Sequence, residues 1–141
     1  IEYALCGGMA VVIHGYPRLT RDIDLLLREE DLERAREALQ KSGYTLPSRL
    51  LPFDIGKPTE RRMFRVTKVE GNDHITLDLV LVSPFLEEVW KGREKHLIEH
   101  KTLSVVSRDG LVKMKRVAGR PQDLADLSQL EAGEEGSDGA S

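Results

Sequence analysis

A single cysteine, Cys6, stands in 141 residues. No internal disulfide can form, which fits a reducing cytoplasm. Aromatic residues make up 5% of the chain. That is too few to interleave with basic side chains into a platform on which single-stranded bases could stack. No apolar run approaches the roughly 20 residues that a spanning helix needs, and no signal-peptide pattern is present, so no membrane association is expected. A dominant charge is lacking as well. The net charge is −3, but the last eleven residues, EAGEEGSDGAS, hold four acidic groups and no basic ones. Without them, 21 basic residues face 20 acidic ones. A near-neutral body argues against a broad nucleic-acid-coating surface and leaves room only for a local basic pocket. No internal repeat is found.

What is present suits one soluble domain with a single sizeable core. We expect the domain over residues 1–131 and an acidic disordered tail over 132–141. The first residue is Ile rather than Met, as in a fragment lacking an N-terminal element.

The chain reads as a short strand, Glu2 to Cys6, entering a Gly7-Gly8 turn, then a two-turn helix, Met9 to His14. A polar loop with Pro17, Arg18, Thr20 and Arg21 leads to a strand from Asp22 to Leu27. Asp31 to Ser42 has the i, i+3, i+7 apolar spacing of a helix, with Gly43 as its stop. Residues 44–60 are Pro- and Gly-punctuated, a loop with room for one short strand. Met63–Val69 and Ile75–Val82, split by Gly71-Asn72-Asp73, predict a hairpin. A helix follows Pro84, running from Phe85 to about Lys91. A last strand covers Lys101–Val106, and Ser107 caps a helix from Arg108 to Ala118 that Gly119 ends. Pro121 starts a final helix, Gln122 to Glu131. Strands flanked by helices in this order predict an α+β fold, a mixed sheet with helices mainly on one face.

Three carboxylates stand out. Asp22 and Asp24, two apart on a strand, point to one face, while Ile23, Leu25 and Leu27 point to the other. Like charges held side by side on a half-buried strand are costly. A divalent metal with oxygen ligands is the simplest compensation. Gly7-Gly8, ahead of a helix, lets phosphate approach the backbone. Asp78 lies in ITLDLVLVS, otherwise apolar apart from its hydroxyl residues, and must find a metal, a base such as Arg65, or solvent. If its strand neighbours the Asp22–Asp24 strand, the three carboxylates could hold two Mg²⁺ ions, or Mn²⁺, across a triphosphate and an attacking hydroxyl.

Gly7-Gly8, thirteen residues, then DIDL, and later a lone Asp in an apolar strand: this pattern resembles the DNA polymerase β-like nucleotidyltransferase superfamily. YALCGGMAVVIHGYPRLTRDIDLLL, LDLVLVS and LVKMKRVAGRPQDLADLSQL are similar to its AbiEii-type branch, which includes abortive-infection and toxin–antitoxin proteins. The resemblance spans Tyr3 to Leu130. It implies transfer of a nucleoside monophosphate from an NTP to an acceptor hydroxyl, with release of pyrophosphate. Asp22 and Asp24 would then bind metals that clamp the triphosphate. Asp78 would complete the second metal site and help deprotonate the acceptor. Gly7 and Gly8 would admit the phosphates.

The other half of the site is read from the late helices. Leu111, Met114 and Ala118 make the apolar stripe of one helix, and Lys115 lies at its edge. From there it can reach a phosphate as a point charge or cover apolar surface with its stem. Asp123 falls on the apolar side of the last helix and can pair with Arg120 or Lys115. The related branch has a recurrent Lys, then Arg-x-x-Asp, here, which implies a nucleotide-site role. Arg18, Thr20 and Arg21 precede the DID strand, where Arg18 or Arg21 could contact phosphate and Thr20 could order the loop. Arg61, Arg62, Arg65 and Lys68 cluster on the hairpin and could bind RNA or remain solvated. His96 and His100 are four apart but lack a second ligand pair, so we read them as surface residues. His14 and Cys6 are read as core or near-core, and Trp90 as a packing anchor.

The expectation is a cytoplasmic, Mg²⁺-dependent nucleotidyltransferase acting on RNA, a protein or a small molecule. The resemblance tilts the acceptor towards RNA or tRNA and suggests an antitoxin partner. The alternative is a degenerate module of the same fold that binds nucleotide or a partner without turnover.

Overall fold

The computed structural model describes residues 1–20, 22–46 and 48–140, with side chains through Ala132. The Arg21 expectation therefore lies outside the described residues. Of the expected tail, residues 132–140 are described by their backbone as the end of the last helix, and residue 141 lies outside.

The sequence spacing becomes a seven-stranded mixed sheet with helices on both faces. β1 (Ala4–Cys6) feeds α1 (Gly7–Ile13), and β2 (Ile23–Leu27) follows the polar loop. A 3₁₀ turn at Glu29–Asp31 precedes α2 (Leu32–Lys41), so the expected helix starts one residue later than its spacing suggests. β3 (Arg49–Phe53), β4 (Arg61–Glu70) and β5 (Asp73–Leu81) form a meander. A 3₁₀ turn at Pro84–Leu86 leads into α3 (Glu87–Lys91). β6 (Glu94–Ile98) and β7 (Lys101–Val105) form a second hairpin, and α4 (Arg108–Ala118) and α5 (Pro121–Ala140) complete the chain.

Across the sheet the order is β3-β4-β5-β2-β1-β7-β6. β2 pairs parallel with β5 and antiparallel with β1, and β1 pairs parallel with β7. β3 takes the edge, where Pro52 costs no interior ladder bond. β6 takes the other edge and was not anticipated. Its five residues are mostly exposed and carry no strong alternation. His96 and His100 consequently sit on a strand and in its turn, not along a helix. His96 is half-buried, its ring edge-on to His14 at 5.5 Å between centroids, so it is not the surface residue the sequence suggested.

Two apolar clusters divide between the faces. Ala10 and Val11 of α1, Val89 and Trp90 of α3, Leu111 of α4 and Leu130 of α5 pack on Cys6, Leu26 and Val105. On the other face Ala35 of α2 packs with Leu27, Phe64, Val66, Leu77, Leu79 and Leu81. Alternation explains the division. Leu77, Leu79 and Leu81 alternate with Thr76, Asp78 and Val80 along β5, as Leu25 and Leu27 alternate with Asp24 and Leu26 along β2. Each fully buried leucine contributes roughly 1.5–3 kcal/mol, so a one-residue slip of either strand would expel several of them. Register is thereby set by the apolar residues, and the carboxylates are carried with it.

Local signals hold the late helices. The Ser107 hydroxyl accepts the Gly110 N–H at 3.1 Å, and Gly119, in the left-handed region, stops α4. Arg108 donates to the Leu130 carbonyl, tying the start of α4 to α5. Among the described residues no helix is long and apolar enough to cross a membrane.

Candidate active site

The parallel pairing of β2 with β5 places Asp24 directly opposite Asp78. The antiparallel β4 places Arg65 opposite Asp78, and β1 places Cys6 opposite Asp24. Directly opposed residues point to the same face, so one row across four strands reads Arg65, Asp78, Asp24, Cys6. Asp22 lies just before β2 and is exposed.

The row carries unequal compensation. Asp78 is 4% exposed and accepts two hydrogen bonds from Arg65, Nε to Oδ1 at 2.8 Å and Nη2 to Oδ2 at 3.1 Å. Among the described residues Asp24 has no such partner. Burial first, then the charge of Asp78 and a hydrogen bond to it, push its carboxyl up to about 7, with Lys115 opposing and Asp22 reinforcing the shift. Burial likewise raises the Cys6 thiol, with Asp24 adding to it. The unmet demand for positive charge thus falls on Asp24, beside an Asp78 that Arg65 already pairs.

The glycines form the wall beside them. Gly7 has φ +64°, and a Cβ there would overlap the Asp24 carboxylate. A Cβ on Gly8 would stand 2.5 Å from Arg18 Nη2 and 2.6 Å from Thr20 Oγ1. Each side chain at these positions would fill the space between α1 and the carboxylates or displace the loop. Thr20 donates to the Asp22 carbonyl at 3.2 Å, ordering the loop where it enters β2.

Across the cavity, α4 and α5 supply a second set of charges. Lys115 is 5% exposed and lies 3.0 Å from both Asp123 Oδ1 and Asp126 Oδ2. Asp123, 1% exposed, also accepts from the Arg120 backbone N–H at 3.1 Å and from Arg120 Nε at 2.8 Å. Burial alone would raise its carboxyl, but the hydrogen bonds from Arg120 and Lys115 outweigh it and hold the group below the ordinary carboxylate range. The expected pairing of Asp123 with Arg120 and Lys115 is present in full. Lys115 is no stem laid over apolar surface; its ammonium is ion-paired inside the protein.

Nine residues singled out as candidates from the sequence line one cavity of about 590 Å³: Gly7, Gly8, Arg18, Thr20, Asp22, Asp24, Asp78, Lys115 and Asp123. Arg61, Arg62, Arg65 and Phe53 form its far wall. Arg61 is held by Asp54 at 2.8 Å, and Arg62 pairs with Glu29. Sequence reasoning gives Asp126 no role. Its signal was available, since it follows Asp123 by three on the same apolar arc, but a helical arc alone does not reveal a buried ion pair.

Among the described residues no three His, Cys, Asp or Glu side chains are grouped as a metal cage. The donor set nevertheless fits a hard divalent cation. Asp24 and Asp78 offer carboxylate oxygens, Asp22 borders the same cavity, and burial beside Asp78 raises the Asp24 carboxyl to about 7, a setting in which a nearby positive charge would favour the carboxylate.

The family described as "Nucleotidyl transferase AbiEii toxin, Type IV TA system" matches residues 1–140. No curated protein matches in sequence. Among solved structures, a Thermotoga maritima protein described as a "putative nucleotidyltransferase (TM1012)" is 13% identical and shares the fold. The match has a TM-score of 0.60 over 91% of this chain and 80% of that one. JHP933 from Helicobacter pylori is 21% identical, with a TM-score of 0.44 over 91% of this chain and 57% of that one. On the match over residues 1–140, the chain belongs to the AbiEii nucleotidyltransferase toxin family of type IV toxin–antitoxin systems.

Proposed function

We propose that the protein moves a nucleoside monophosphate from an NTP to an acceptor hydroxyl and releases pyrophosphate, using Mg²⁺ or Mn²⁺. The observation that carries this reading is Asp24. It is a partly buried carboxylate set in register with Asp78, raised to about 7 and facing a glycine wall with no room for a side chain. Asp22, Asp24 and Asp78 would hold the metal, which when bound neutralises the triphosphate and the departing pyrophosphate.

The protein's own contribution is alignment. Gly7 and Gly8 let phosphate oxygens approach the backbone, while Arg18 and Lys115 provide fixed positive charge beside them. Attack of the acceptor oxygen on the α-phosphorus forms one P–O bond and breaks the bond to the bridging oxygen. The hydroxyl proton leaves towards Asp78. Arg65 donates one hydrogen bond to each Asp78 oxygen, and each oxygen keeps a further lone pair for that proton.

Arg61, Arg62 and Arg65 on the far wall favour an RNA or tRNA acceptor over a protein or small molecule, since a polyanion can use several guanidinium groups at once. The family supports an antitoxin as partner. The closed Arg65–Asp78 pair is also what a degenerate, binding-only module would show, and this is the second reading.

Incubation with each of the four α-labelled NTPs, a divalent cation and a cell extract separates the two. Transfer predicts label in an RNA or protein fraction, lost in Asp24→Ala. An unlabelled extract, or an Asp24→Ala protein as active as the parent, overturns the enzyme reading.

A further inference from the structure

Asp126 does not line the cavity, yet Arg18, Lys115 and Gln122, all of which do, converge on its carboxylate. Oδ2 lies 3.0 Å from Lys115 Nζ and accepts from Arg18 Nη2 at 3.2 Å, while Oδ1 accepts from Gln122 Nε2 at 3.0 Å and stands 3.0 Å from Arg18 Nε. The group is 2% exposed. From these contacts we infer that Asp126 is a positioning residue: it fixes Arg18 and Lys115 as one preset phosphate-binding pair beside Gly8. This rests on the proposed nucleotidyl transfer and names the residue that builds its phosphate end.

Arg18 belongs to a loop with no regular structure, and a loop arginine is ordinarily solvated and mobile. Here its side chain is only 22% exposed and its guanidinium stands over Gly8, because a carboxylate from α5 holds it there. One of its Nη1 hydrogens goes to the Leu19 carbonyl at 2.7 Å and one of its Nη2 hydrogens to Asp126. Each terminal nitrogen therefore keeps a second N–H without a partner among the described residues. Lys115 carries three N–H donors and meets two carboxylates, leaving a third for the cavity. Holding both cations in place before the ligand arrives removes the ordering cost that a free loop would impose on binding. Asp126 shares Lys115 with Asp123, but Asp123 touches Arg120 rather than Arg18. Asp126 thus joins Arg18 of the α1–β2 loop to Lys115 of α4.

The test uses inorganic tripolyphosphate with Mg²⁺, measured calorimetrically on the full chain, so that binding is read without turnover. Asp126→Asn, which keeps the side-chain shape, should weaken binding about tenfold, the size of a lost charge-assisted hydrogen bond. Arg18→Ala should do the same. The double variant should be no weaker than either single one, because both remove the same arrangement. With NTP as substrate, KM should rise about tenfold and kcat change by less than about twofold. Arg116→Ala, which breaks an exposed α4–α5 pair with Glu131 away from the cavity, should bind like the parent.

Additive losses from Arg18→Ala and Asp126→Asn overturn the inference, as does parental affinity in Asp126→Asn or an equal loss in Arg116→Ala. Absence of tripolyphosphate binding by the parent protein overturns it too. Should Asp126→Asn melt early, Arg18→Ala and Arg18→Lys carry the test from the loop side, with Lys weaker than Arg if the fork geometry matters. Failure here with label transfer intact would leave the proposed function standing; tripolyphosphate binding without label transfer would do the reverse.

Discussion

Two groups of carboxylates lie in or just behind the wall of one cavity, and the fold treats them in opposite ways. On α5, Asp123 and Asp126 are almost fully buried and share Lys115, Arg18 and Arg120. Every charge there has an opposite within hydrogen-bonding distance, and Asp123 stays below its ordinary pKa despite burial. On the sheet, Asp24 stands opposite Asp78, the one paired arginine, Arg65, lies on the far side of Asp78, and Asp24 is pushed up to about 7. The helical group is finished as it stands. The sheet group is short of positive charge. The difference teaches what each set contributes: the first holds the architecture and presents cations, and the second is the one to which the proposed function assigns the metal.

Lys115→Met would break this contrast most severely. It leaves two buried carboxylates facing each other without their shared ammonium. Stability should fall by about 3–5 kcal/mol, read as a large loss of denaturant midpoint. An unchanged midpoint would mean that the helical group is not self-compensated.

Asp24→Asn should act in the opposite direction. The native carboxyl is raised above its unfolded value of 3.8, so the folded state retains a proton that the unfolded state has lost. Stability therefore falls as pH climbs from about 4 through about 7 and stays low above that window. In metal-free buffer Asp24→Asn should gain roughly 1–3 kcal/mol at pH 8, discounted for partial solvent access, and nothing near pH 4. Parallel melts across pH check this. A variant less stable than the parent at pH 8 would show that Asp24 is already compensated.

The smallest effect sharpens the comparison. Arg65 is half-exposed and competes with any cation for Asp78. Arg65→Ala should tighten Mn²⁺ binding by about threefold, a fraction of the strength of one exposed charge pair, as followed by calorimetry. Weaker Mn²⁺ binding would show that Arg65 orients Asp78 for the metal instead of competing with it.

Much of this was readable from single residues and short spacings. Ser107 and Gly119 bound α4 because a hydroxyl cap and a left-handed stop act within one turn. Gly71-Asn72 closes the β4–β5 hairpin for the same local reason. The Gly7-Gly8 wall and the Asp22-x-Asp24 pair lie close in sequence, so their juxtaposition needs only one helix and one loop. β6 escaped because a short, exposed edge strand buries too little to impose a pattern. Asp126 escaped because its partners lie 108 and 11 positions away, and no helical spacing reports a contact with a distant loop.

The sequence by itself determined which residues could do chemistry. It supplied carboxylates in apolar strands, glycines ahead of a helix and a lysine at the edge of an apolar stripe. It left Asp78 with two open fates, metal or arginine. Tertiary structure decided the rest through register. Burial of Leu25, Leu27, Leu77, Leu79 and Leu81 locks β2 against β5, and the same hydrogen-bond ladder carries Asp24 to Asp78 and Asp78 to Arg65. Apolar packing chose the alignment, and the charges that border the cavity followed it.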